Sequence, residues 1–170
     1  MTSISSASIA SPGFRIRQAD KDDLANIVDW TIKLYQHEDD KTISPHKNFK
    51  NNLEHWIKQE LSNSNSLFLL AEASGEPIGF IFATCVINDN GFLSKPMKGV
   101  IQLLWLDEYY RKQKMAKSLL EEMENCLTSI GVEYIECHYT CKNNLAKHFW
   151  DKNGYRQTSI TAQKILTKES

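Results

Sequence analysis

Four basic side chains, Arg111, Lys112, Lys114 and Lys117, crowd one short stretch of a chain in which 20 Lys plus Arg face 21 Asp plus Glu. They lie between the apolar run Val100–Leu106 and an amphipathic run that begins at Met115. The pattern predicts a strand, a basic turn and the start of a helix. A helix N-terminus presents unpaired N–H groups and a partial positive charge, and cations beside it suit it to phosphate. A solvated basic turn is the competing account of the same residues.

Other groups able to do chemistry are scattered. His37, Glu38, Asp39 and Asp40 form an acidic, polar stretch after the first helical run. Glu136 and His138 share one face of a predicted strand over Val132–Thr140, and Tyr139 lies on the other with Ile135 and Cys137. For each, solvation, a cross-strand hydrogen bond or packing is the alternative to a role in proton transfer. Cys85, Cys126, Cys137 and Cys141 have no Cys-x-x-Cys spacing. Cys137, His138, Cys141 and His148 could form a zinc set, but without that spacing the four cysteines read as reduced thiols of a cytoplasmic protein, and no metal is expected.

The elements that must position these groups follow from periodicity. Phe14–Arg17 reads as a strand, with Asp20 as the N-cap of a helix whose stripe is Leu24, Ile27, Val28, Thr31, Leu34 and Tyr35. Pro45 suits the start of a second helix burying Phe49, Leu53, Trp56, Ile57 and Leu61. Leu67–Ala73 and Ile78–Ile87 predict an antiparallel hairpin across Ser74-Gly75-Glu76-Pro77. Val100–Leu106 suits a central strand. A helix follows, with Met115, Leu119, Leu120, Met123, Cys126, Leu127 and Ile130 inward and Gly131 at its C-terminal end. Asn143–Asn153 predicts a last helix and Tyr155–Leu166 closing strands. The Val100–Thr140 strand–helix–strand unit should pair in parallel. The expected class is therefore α/β (α+β), with a mixed, mostly antiparallel central sheet flanked by helices. Met1–Gly13 is expected to be a flexible arm before one domain over 14–170.

A net charge of −1 argues against nucleic-acid or membrane partners. No run reaches the roughly 20 apolar residues of a membrane helix, and the N-terminus lacks the pattern of a secretory signal.

Tyr110-Arg111-Lys112-Gln113-Lys114-Met115-Ala116-Lys117-Ser118-Leu119-Leu120 resembles the Tyr-Arg-Gly-x-Gly-x-Gly/Ala-x-x-Leu-Leu segment of the GNAT superfamily of N-acetyltransferases. Asn143, Ala146, Phe149, Gly154 and Tyr155 resemble, in register, that superfamily's Asn-x-x-Ala-x-x-Phe-Tyr-x-x-x-Gly-Phe/Tyr segment. The resemblance runs from Phe14 onward, because the order of elements agrees as well. It implies an acyl-CoA core in which the backbone of Leu104 and Leu106, beside Trp105, meets the pantetheine arm. The loop Arg111, Lys112, Gln113, Lys114, Met115, Ala116 and Lys117 would hold the pyrophosphate, and Asn143 and Phe149 would line the far side. It also implies acetyl-CoA as co-substrate and a small-molecule or peptide amine as acceptor, in a monomer or homodimer.

The chain departs from that pattern at four positions. Lys112 and Lys114 stand where glycines are usual, and an L-residue in the left-handed region costs roughly 1–2 kcal/mol. Gln102 stands where a glutamate base is frequent, and Trp150 where a tyrosine acid is. An alkylamine is only about 0.1% neutral at pH 7.4, so losing the base matters more than losing the acid. His37, Glu38, Asp40, Glu136, His138 and Tyr139 are the candidate substitutes, with Trp30, Tyr35, His37, Glu38, Gln102 and Trp150 around the acceptor. The expected activity is acetyl transfer to an amine by direct attack in a ternary complex. The alternative is an acyl-CoA-binding sensor without turnover.

Overall fold

A computed structural model describes residues 13–38, 44–88, 91–92, 94–111 and 114–166. The expected N-terminal arm, apart from Gly13, lies outside them, as do Asp39, Asp40, Lys112 and Gln113. The chain divides into two compact units at His138/Tyr139.

The first unit is built on a five-stranded sheet in chain order: β1 (Phe14–Gln18), β2 (Ser66–Ala73), β3 (Glu76–Ile87), β4 (Met97–Leu106) and β5 (Tyr134–Cys137). Every neighbouring pair is antiparallel except β4 and β5, which are parallel. The parallel pair is joined by α3 (Met115–Ser129), as a crossover requires. The β2–β3 turn places Ser74 and Gly75 at φ +52° and +85°, which matches the right-handed twist of a two-residue hairpin.

Two helices, α1 (Leu24–Glu38) and α2 (Phe49–Glu60), pack together and cover one face of the sheet. Their cluster holds Ile27, Val28, Trp30, Leu53 and Ile57 against Phe68, Leu70, Phe80, Phe82 and Leu103. Within it Phe68 stacks on Phe82 at 4.0 Å and Trp30 on Phe80 at 5.9 Å between ring centroids. Trp30 is therefore a core residue rather than part of an acceptor site. Tyr35, placed on the buried stripe by spacing, is half exposed and meets Phe49 edge-on at 5.2 Å, fastening the end of α1 to the start of α2.

On the opposite face α3 buries Leu119, Leu120, Met123, Cys126 and Leu127. Its C-terminus closes as expected. Gly131 at φ +92° donates to Thr128 O, and the N–H of Val132 donates to Leu127 O, which satisfies two of the last carbonyls.

Both edges of α1 and α2 reflect local competition. Asp20 caps a 3-10 turn, Lys21–Asp23, that leads into α1; its carboxylate accepts from Asp22 N while Asp23 accepts from Asp20 N. α2 begins at Phe49, not at Pro45, because His46 Nδ1 accepts from Asn48 N and His46 O from Phe49 N, forming a separate turn first.

The second unit contains α4 (Asn144–Lys152). The closing strands expected over Tyr155–Leu166 are absent from the described residues. Residues 156–166 are exposed throughout, Ile160 by 85%, and join no ladder. β-Branched residues favour strands only where a neighbour supplies packing, and here none does. Among the described residues no helix is long and apolar enough to cross a membrane.

Candidate functional site

β4 carries a bulge at its centre. Phe82 pairs with Leu103 and Ala83 with Ile101, so Gln102 is an extra residue opposite neither. The bulge divides the strand. Before it, Lys98–Ile101 pair with β5; after it, Gln102–Leu106 have no strand partner on the edge away from β3 among the described residues.

Gln102 is exposed and donates from Nε2 to Thr84 Oγ1 at 3.2 Å. In the parallel ladder Glu136 stands opposite Val100 and is held by Lys98 at 2.8 Å, and this contact raises the Lys98 pKa. The Glu136 carboxylate thus already serves an ion pair. His138 is exposed, one residue beyond the end of β5. Strand β5 is shorter than spacing predicted because its partner segment ends at the bulge.

The turn after β4 is tied to the strand by one side chain. Arg111 donates from Nε to the carbonyl of Leu106 at 2.7 Å, and its guanidinium carbon lies 4.5 Å from the centroid of the Trp105 ring. Glu108, in the 3-10 turn Glu108–Tyr110, is 3.7 Å away, and Trp105 Nε1 donates to Asp107 Oδ1 at 3.4 Å. Lys114 is the N-cap of α3, at φ +61° and ψ +2°, and its side chain makes no capping hydrogen bond. The first turn of α3 holds Met115, Ala116 and Lys117 and contains no acidic residue. A helix dipole ordinarily favours acids there and disfavours cations. Lys114 and Lys117 at this N-terminus therefore suit an anion, and the backbone takes there the left-handed form that glycine would adopt freely. Lys117 also pairs with Glu121 at 3.4 Å. Residues of this kind fit a pyrophosphate.

His37 is exposed and Glu38 half-buried at the C-terminal end of α1. In the second unit, Asn143 caps α4 by accepting from Ala146 N at 2.9 Å. Phe149 and Tyr155 flank Trp150 with ring centroids 5.1 and 4.9 Å away, and Trp150 is buried. Gly154 ends the helix at φ +85°. Asn143, Phe149, Gly154 and Tyr155 therefore build a capped helix with its own aromatic cluster. Tyr139, half-buried, opens this unit.

Burial pushes the Cys85 and Cys126 thiols up and the Cys137 thiol to about 12. Among the described residues no group of three or more His, Cys, Asp or Glu is placed to hold a metal ion.

The sequence profile of the acetyltransferase (GNAT) family matches residues 25–155. The chain belongs to the GNAT acetyltransferase family. Among GNAT-like relatives, a spermidine N(1)-acetyltransferase of Thermoplasma acidophilum is 27% identical over 149 residues, covering 83% of this chain and 87% of that protein. A predicted acetyltransferase from Clostridium acetobutylicum, solved with acetyl-CoA, superposes with a TM-score of 0.75 at 18% identity, covering 90% of this chain and 96% of that one. The aminoglycoside N-acetyltransferase AAC(6')-Iy in complex with CoA superposes at 0.74 with 14% identity, over 93% of this chain and 98% of that one. The GNAT fold assignment made from the two sequence segments and the order of elements holds.

Three features of this GNAT chain escaped sequence reasoning. Glu136 makes the cross-strand bond expected of it, and only the identity of its partner, Lys98, needs the register of a parallel ladder. The bulge left one trace, a lone polar residue in an apolar strand. The Arg111–Trp105 contact left none, because Arg111 reads equally well as a phosphate ligand.

Proposed function

We propose that the protein is an N-acetyltransferase that moves the acetyl group of acetyl-CoA to an amine by direct attack in a ternary complex, over residues 14–170 acting as one domain. The observation that carries this reading is the N-terminus of α3: the Lys114 side chain makes no capping hydrogen bond, Lys114 holds the left-handed conformation, and the first turn is basic. Family membership supports acyl-CoA as the anionic ligand, and the family match runs through both units. In the reaction the neutral amine attacks the thioester carbonyl, the C–N bond forms, and the C–S bond breaks to release CoA thiolate. The ammonium proton leaves to water and the thiolate takes a proton from solvent. A thiolate leaves readily, since thiol pKa values near 8.5 lie close to neutrality.

The acceptor is read as a small cationic amine. Polyamine and aminoglycoside acetyltransferases among the similar proteins support that choice. Titration calorimetry with acetyl-CoA, followed by thiol release with spermidine, an aminoglycoside and a lysine peptide, tests the reading. Binding and amine-dependent release support it; no heat with acetyl-CoA overturns it.

A second reading, an acyl-CoA sensor without turnover, is favoured by Gln102, an amide already bonded to Thr84. Binding without release for any amine would select it.

A further inference from the structure

We propose that Arg111 is a positioning residue that clamps the cofactor turn onto the end of β4, rather than a ligand of the phosphates. This rests on the reading of the α3 N-terminus as the acetyl-CoA site. Three contacts orient the guanidinium. Its Nε donates to Leu106 O at 2.7 Å, its central carbon lies over the Trp105 ring 4.5 Å from the centroid, and Nη1 lies 3.7 Å from Glu108. All three partners precede it in the chain, on the strand end and the 3-10 turn, whereas α3 follows it. The side chain is two-thirds buried against these partners.

The clamp also reaches the core. Trp105 packs against the cluster beneath α1 and α2, and its indole N–H is directed at Asp107. Arg111 thereby joins a rigid part of the sheet to the turn that leads into α3. A planar guanidinium can stack on an indole and donate sideways to a carbonyl at once; an ammonium cannot reproduce both contacts. Holding the turn in place before the ligand arrives removes an ordering cost from binding. The glycine-free sequence of this loop makes such a fastening useful, because Lys114 must be kept at φ +61°.

The test compares wild type with Arg111→Lys and Arg111→Met. Amide exchange without ligand should speed up at Asp107–Arg111 and Met115–Lys117 in both variants, with melting temperature within about 3 °C of wild type. Acetyl-CoA affinity should fall about tenfold in both, at low and high salt alike. KM for acetyl-CoA should rise by the same factor, with kcat and the amine KM within about twofold. Trp105→Leu should abolish most of the further loss caused by Arg111→Met. If Arg111→Lys binds like wild type while Arg111→Met does not, the charge itself grips phosphate and the clamp is overturned. Unchanged exchange and affinity in both variants also overturn it. A wild-type protein that takes up no acetyl-CoA overturns the functional reading, and with it the cofactor role of the clamp.

Discussion

Gln102 Nε2 donates to Thr84 Oγ1 at 3.2 Å across the β3–β4 ladder, at the bulge where β4 leaves β5. The extra residue presents its amide from an exposed position, where β4 passes beyond its last pair with β5. In Gln102→Glu the Thr84 hydroxyl would become the donor and the carboxylate would be ionised at neutral pH. A positioned general base contributes about 10²–10⁴-fold. This carboxylate would be well solvated and weakly basic, so the expected gain in kcat/KM at pH 7 is about tenfold to a hundredfold. Steady-state kinetics from pH 6 to 9 should show the largest gain at low pH, where the wild type depends most on a spontaneously neutral amine. An unchanged profile would mean that water already accepts the proton without limiting the rate.

Lys114 occupies the left-handed region at the start of α3. Replacing it by glycine removes about 1–2 kcal/mol of backbone strain. It also frees the unfolded chain by roughly 0.4–1 kcal/mol, which offsets part of the gain. The expected balance is a rise in Tm of about 1–3 °C by calorimetry. The lost cation is worth about 1 kcal/mol near phosphate in water. Acetyl-CoA affinity at low salt should therefore fall modestly, and its salt dependence should flatten. A Tm that drops by several degrees would contradict the strain argument.

What could be read from the chain was local. The stripe Leu119, Leu120, Met123, Cys126 and Leu127 repeats at helical spacing and is buried as such. Ser74-Gly75 signals a hairpin, and Gly131 a helix end, because each supplies the positive φ its turn requires. Of the two lysines that the family resemblance puts at glycine positions, Lys114 takes the left-handed form and Lys112 lies outside the described residues. Non-local relationships were hidden. The Gln102 bulge depends on how β3 and β5 meet β4, and Glu136 finds Lys98 only through a parallel register. Tyr155–Leu166 has strand-like composition, but composition cannot supply a neighbouring ladder.

Gly79 and Gly99 are both strand glycines, yet their substitution should differ sharply. A Cβ on Gly79 would lie 2.4 Å from Trp105 O and 2.8 Å from Leu106 Cα, atoms of the backbone that carries the Arg111 clamp. A Cβ on Gly99 would meet Leu127 Cδ1 at 2.9 Å, the far end of a side chain that can rotate. Overpacking costs typically about 1–3 kcal/mol, with rigid neighbours at the upper end or beyond. Gly79→Ala should lower Tm by about 6–12 °C and Gly99→Ala by about 2–4 °C. Only Gly79→Ala should also weaken acetyl-CoA binding, since it displaces Trp105 and Leu106. Equal losses in the two variants would show that the strand, not the side chain, gives way at both sites.

Arg17 joins three elements, donating from both terminal nitrogens to Asp23 at 2.7 and 2.8 Å and from Nε to Glu72 at 2.6 Å. These contacts fasten β1 to the turn before α1 and to β2. The Arg17 hydrogen bond holds the buried Asp23 carboxyl below the usual carboxylate range, against the opposing effect of burial, and the Asp20 N–H assists. A folded-state pKa below the unfolded value of about 3.9 means that the unfolded chain binds the proton more readily. The contribution is therefore complete above that value and is lost as pH falls through the folded-state pKa. Asp23→Asn should cost about 2–3 kcal/mol at pH 7, the range for a hydrogen-bonded charge whose partner is left behind. Urea unfolding at pH 7, 5 and 3 should show this difference constant between pH 7 and 5 and smaller at pH 3. A difference that grew on acidification would reverse the sign and place the Asp23 pKa above its ordinary value.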